Sequence, residues 1–221
     1  MQWIITYISS SIGKKQVVAI SGIFLFFFLI VHLSGNLLLF KGADAFNQYA
    51  HNLENLGGLL YVAEIGLAGL FLVHIIFALW VTAENVHARP QKYQKKEWAG
   101  SRTLGSSTMP VSGLIVFVFL ILHLIHFRVA KELESNSTKT LYDLVVELFS
   151  QDIYVVWYVF ACAVLGLHLS HGLQSVFRTF GLSNKRYLKI LQGLSILAAI
   201  AIALGYISIP IYFRFLKGGL S

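Results

Sequence analysis

The sequence predicts an all-α, polytopic membrane bundle of five transmembrane helices. Three observations predict it. Of 221 residues, 57% are apolar, and the mean hydropathy is +0.71. Only 12% are charged, about half the fraction usual in a soluble domain. The apolar residues gather in five runs, each long enough to cross a bilayer, which takes about 20 residues. A soluble bundle would need a polar face on every helix, and these runs lack one.

The first stretch, Met1–Ile12, reads as an interfacial helix lying on the membrane surface. It does not read as a secretory signal. Its basic residues, Lys14 and Lys15, follow the apolar stretch, and no small-residue cleavage site closes the first span. The spans are expected at about 17–40, 59–83, 109–129, 153–177 and 190–213, within one domain covering 1–221. None of the three prolines, Pro90, Pro110 and Pro210, falls at mid-span. That disfavours a transporter built on broken helices.

The loops set the orientation. One side holds eleven cations (Lys14, Lys15, Arg89, Lys92, Lys95, Lys96, Arg102, Arg178, Lys185, Arg186 and Lys189) against Glu84 and Glu97. The other holds six cations (Lys41, Arg128, Lys131, Lys139, Arg214 and Lys217) against seven acids (Asp44, Glu54, Glu132, Glu134, Asp143, Glu147 and Asp152). The excess of Lys and Arg places the first side, and the N-terminus, in the cytoplasm, with the C-terminus outside. A basic cytoplasmic face suits anionic lipid or a soluble partner. Nucleic acid is a poor fit for a chain embedded in lipid. One acid, Glu64, falls within a span.

The single cysteine, Cys162, sits in an apolar run and reads as a small buried hydrophobe. No C-x-x-C-H, cysteine cluster or glycine-rich nucleotide fingerprint is present. Flavin or iron–sulfur chemistry would therefore have to come from partner subunits.

Six of the eight histidines fall within spans: His32, His74, His123, His126, His168 and His171. Ionisable residues there are costly and are functional by default. Two of them close a repeated motif. Residues 21–33 read SGIFLFFFLIVHL and residues 112–124 read SGLIVFVFLILHL. At a rise of about 1.5 Å per residue, His32 and His123 lie about 20 Å from the cytoplasmic ends of the first and third spans. His74 and His168 lie about 13 Å from the cytoplasmic ends of the second and fourth. This makes two layers of two. Facing imidazoles at one depth are what a bis-histidine haem b needs, one on each side of the iron. Depth does not separate His126 from His123, or His171 from His168; the repeat favours His123. Gly22 and Gly113 fall near the inner layer, where a missing side chain would admit a macrocycle or a neighbouring helix.

With these residues in place, the chain resembles a known family over nearly its whole length. The most specific segments are SGIFLFFFLIVHLSGN, KGADAFNQYAH, LFLVHIIFALW, SGLIVFVFLILH and LHLSHGLQSVF. They resemble the membrane-anchor subunit of succinate:menaquinone oxidoreductases and quinol:fumarate reductases, of the single-subunit, five-helix, dihaem cytochrome b type. The resemblance implies haem-iron ligands at His32, His74, His123 and His168, paired first with third and second with fourth. It implies two b haems within a four-helix core. It also implies a flavoprotein and an iron–sulfur subunit on the cytoplasmic face, with menaquinone or another quinone reacting near the outer haem. Succinate chemistry would belong to those partners, and the heterotrimer could pair into a dimer. Some members carry a glutamate two residues before the fourth ligand, for proton transfer; here that position is Gly166, and no such pathway is expected. The haem b subunit of a hydrogenase or formate dehydrogenase is the alternative, separated by its partners.

Quinone chemistry needs a proton-exchanging group and polar groups for the carbonyls. Glu64, ten residues outward of His74, is the expected exchanger. Asn36, His51 and Glu54 are further outer-side candidates. Lys15 and Arg178 end helices near the inner layer and are candidates for haem propionates.

Overall fold

The long apolar runs become helices because a backbone in hydrocarbon must satisfy its own hydrogen bonds. The computed structural model describes residues 2–88, 104–134, 139–182 and 184–217. The cations Arg89, Lys92, Lys95, Lys96 and Arg102, with Glu97 and Pro90, lie outside the described residues. Nine α-helices are found among the described residues: α1 (Gln2–Ser9), α2 (Ser11–Asn36), α3 (Ala43–Glu54), α4 (Gly58–His87), α5 (Leu104–His123), α6 (Ala130–Leu133), α7 (Leu141–Phe149), α8 (Asp152–Thr179) and α9 (Lys185–Ile211). Five helical segments are long and apolar enough to cross a membrane: Ser11–Lys41, Gly58–His87, Thr108–Leu133, Asp152–Thr179 and Arg186–Lys217.

The spans run past the ends that hydropathy suggests. Helix α5 begins at Leu104 rather than near 109, so Pro110 sits inside it. Hydropathy marks where the chain enters hydrocarbon, whereas a helix stops only where a cap or turn stops it. At the amino end the stop is local. Ser10 is extended (φ −72°, ψ 157°), and its hydroxyl accepts from the Gly13 amide at 3.0 Å. This N-cap separates α1 from α2, so Ile12 belongs to the span and not to the surface helix. The turns after the first span and after α3 use glycine in left-handed backbone, Gly42 (φ 102°) and Gly57 (φ 54°).

Two features carry no hydropathy signal. The third span winds into a π-helix at Leu124–Val129, and the fifth does so at Tyr212–Lys217. Such turns often mark functional sites. The short amphipathic helices α3 and α7 also form, joined by the Tyr142 amide donating to Asn47 Oδ1 at 3.2 Å.

Helix α8 is the hub, packing on α9, α5 and α2, while α4 packs chiefly on α2. One buried cluster sits at the outer end, where Leu39, Phe46, Tyr142, Phe149, Tyr158 and Phe213 close α3 and α7 over the bundle. A second joins α8 to α9 through Leu165, Leu169, Ala199 and Ile202. Gly166 lets those helices touch: a Cβ there would stand 2.8 Å from that of Ala203. Elsewhere the spans expose large apolar side chains, such as Ile65 (73%), Val62 (68%) and Leu197 (64%). Lipid covers such surface without cost, and water does not.

Candidate functional site

The histidines take their places from helix register. His32 on α2 and His123 on α5 bring their rings to 5.8 Å between centroids, edge to face at 89°. Phe28 stacks on His32 at 5.2 Å, while Phe119 and Phe127 flank His123 at 5.7 and 5.1 Å. His123 Nδ1 is fully buried with no hydrogen-bond partner. A buried, unpartnered ring nitrogen is costly unless something else engages the ring. Asn36 donates to the His32 carbonyl at 2.8 Å, and its amide nitrogen lies 3.4 Å from His32 Nε2.

The inner layer is built differently. His74 Nδ1 lies 3.0 Å from Ser21 Oγ of α2, and His168 Nδ1 lies 3.2 Å from Ser112 Oγ of α5. A Cβ on Gly22 would stand 3.3 Å from His74 Cε1, and one on Gly113 would stand 3.3 Å from His168 Cε1. The two Ser-Gly pairs therefore meet the inner histidines side-on. Sequence reasoning placed the glycines at this depth but missed the hydroxyls; the signal was their fixed position beside each glycine.

His126, in the π-helix, is engaged by tyrosines of α8. Its Nδ1 bonds the buried Tyr158 hydroxyl at 3.0 Å, and its ring meets Tyr154 at 5.0 Å. Among the described residues, no three or more His, Cys, Asp or Glu side chains gather as a zinc-type site would require. The imidazoles of His32 and His123 face one another, a donor pair suited to haem iron.

Glu64 is not a lone intramembrane acid. Arg128, from the π-helix, reaches it twice, with Nε donating at 3.0 Å and a second nitrogen at 3.3 Å, and also bonds Glu132 at 2.8 Å. Tyr61, Arg128, Val129, Glu132 and Leu133 line a shallow, mainly apolar groove beside this pair. Arg128 as a partner for Glu64 was missed because it was counted among the loop cations that set orientation, although it falls at the end of the expected third span. His51 and Glu54 lie exposed on α3. Lys15, near the start of α2, and Arg178, near the end of α8, are exposed. The buried cation is Lys14 (3% exposed), which bonds Glu84 and lies 4.7 Å over the Trp80 ring.

Comparison with known proteins adds a second line. The family model for the succinate dehydrogenase/fumarate reductase transmembrane subunit matches residues 85–207. The match contains His123 and His168 and begins after His32 and His74. Over 190 residues the chain is 25% identical to the succinate dehydrogenase cytochrome b558 subunit of Bacillus subtilis (strain 168), covering 85% of this chain and 88% of that one. No solved structure matches.

Proposed function

The chain belongs to the family of succinate dehydrogenase/fumarate reductase transmembrane subunits, and on that premise we propose that it is a dihaem cytochrome b linking an iron–sulfur partner to a membrane quinone. The observation that carries the reading is the set of four imidazoles on four helices, with His32 facing His123 at 5.8 Å and His74 and His168 each held by a serine of the repeated motif. His32 and His123 would hold one haem b, and His74 and His168 the other. The residues present fit such a group. His32 and His123 face one another at 5.8 Å between ring centroids, and the buried His123 Nδ1 has no hydrogen-bond partner among the described residues. Bound there, haem supplies one-electron transfer at a potential set by its axial ligands and their hydrogen bonds.

The protein's own groups do the rest. The phenyl rings of Phe28, Phe119 and Phe127 shield the outer imidazoles from water and lower the local dielectric. The Glu64–Arg128 pair stands beside a groove open to the bilayer, where a menaquinone-like ring could lie. Arg128 offers donors to a quinone carbonyl, and Glu64 a carboxylate able to take or return a proton. Asn36 is placed to orient His32, while His51 and Glu54 remain secondary candidates on the outer cover. Lys15 and Arg178 remain candidates for propionate contacts. Lys14, buried beside Glu84, is a third.

A flavoprotein and an iron–sulfur subunit would dock on the basic face, as the relative's name, a succinate dehydrogenase subunit, supports. The basic loops support a cytoplasmic N-terminus in the cell membrane. Pairing of the heterotrimer into a dimer is part of the same reading. Purification of the complex tests it: a flavoprotein and an iron–sulfur protein should co-purify, with two pyridine-haemochrome-positive, non-covalent haems per chain. One haem, or hydrogenase or formate dehydrogenase partners, would refute it.

A further inference from the structure

We propose that Ser21 and Ser112 are positioning residues for the inner haem ligands, each fixing the tautomer and ring angle of a histidine on the neighbouring helix. The inference rests on the haem reading above and deepens it. Ser21 on α2 meets His74 on α4, and Ser112 on α5 meets His168 on α8. Each serine stands eleven residues before an outer-layer histidine on its own helix. The repeated segment thus carries two parts: a ligand for one layer and a hydroxyl for the other.

The hydrogen bonding gives the direction. A serine hydroxyl has one proton. Ser21 donates it to the Val17 carbonyl at 2.7 Å, and Ser112 donates to the Met109 carbonyl at 3.1 Å. In that arrangement each Oγ is left as an acceptor and the facing Nδ1 carries the ring proton. That leaves Nε2 with its lone pair free, the form a metal needs. The adjacent glycines admit the rings at van der Waals distance, since a Cβ at either would already press on Cε1 at 3.3 Å. In the outer layer, by contrast, His123 Nδ1 has no hydrogen-bond partner among the described residues.

An acceptor on Nδ1–H makes the imidazole a stronger donor to iron and favours the oxidised metal. Ser112→Ala should therefore raise the midpoint potential of the inner haem and change its low-temperature EPR signal, which reports the angle between the ligand planes. Ser21→Ala should do the same, since Ser21 is the hydrogen-bond partner of His74 Nδ1. The outer haem should be unchanged in both. Ser112→Thr, which keeps the acceptor, should restore the wild-type potential. Measurements use the detergent-solubilised complex in redox titration. Selective loss of the inner haem in Ser112→Ala, reversed by threonine, would support the proposal equally. Unchanged inner-haem potential and EPR signal in both alanine variants would overturn it, as would a shift or loss of the outer haem. If the wild-type complex bound no haem in this layer, the haem reading itself would fail instead.

Discussion

Glu64 and Arg128 meet across α4 and the π-helical end of the third span, in a two-point ion pair of 3.0 and 3.3 Å. The pair removes much of the cost of placing a carboxylate within a span. It also places a proton-exchanging group and a cation beside one groove.

Glu64→Gln keeps the shape and removes the titratable proton. The variant should retain both haems and pass electrons from succinate to soluble dyes. Its quinone-linked turnover should fall at least about tenfold, the scale of losing a general acid–base group. Wild-type quinone turnover would shift the role to Glu54, His51 or water.

Ligand pairing is testable by layer. His32→Ala and His123→Ala should abolish one spectral component in redox titration, and His74→Ala and His168→Ala the other. If His126→Ala or His171→Ala erased a haem while His123→Ala or His168→Ala did not, the ligand assignment on that helix would be wrong. His126→Ala should instead disturb its contacts to Tyr154 and Tyr158 and leave both haems in place.

Gly166 marks the tightest seam between α8 and α9. Gly166→Val should destabilise the subunit by about 1–3 kcal/mol through overpacking against Ala203, seen as a lower thermal midpoint. Gly166→Glu should cost more, because the seam has no room for a carboxylate. A midpoint unchanged in both would mean the helices separate more easily than their contact suggests.

The outer cover should loosen in acid. Asp143 completes a capping box with Thr140 at the start of α7, accepting from the Thr140 amide and hydroxyl at 2.8 and 2.7 Å. The backbone amide, first, and the hydroxyl hold its carboxyl below the ordinary aspartate range. Its folded pKa is thus depressed. The stabilisation is fully present above the unfolded value of about 4 and is lost as pH falls through the folded one. Amide exchange at the start of α7 should quicken as pH drops through that window, after correction for intrinsic rates. Asp143→Asn should abolish that pH dependence, and Thr140→Ala should weaken the cap by about 1 kcal/mol at neutral pH. Equal pH dependence in wild type and Asp143→Asn would refute the assignment.

The five spans and the depths of the histidines follow from sequence by itself. Hydrocarbon demands about 20 apolar residues per crossing and penalises every ionisable group it contains, so both stand out along one dimension. What tertiary structure decided is rotational. Lys14 and Lys15 are neighbours in sequence, but a helix turns about 100° between them, and packing against α4 buried Lys14 beside Glu84 while leaving Lys15 exposed. The same phase brought Ser21 and Ser112 onto His74 and His168. The π-turn at Leu124–Val129 carries Arg128, which reaches back to Glu64, although charge counting along the chain assigned it to a loop. Hydropathy and residue count measure distance along a helix axis; which side chains meet depends on the angle around it, and only the packed neighbours set that angle.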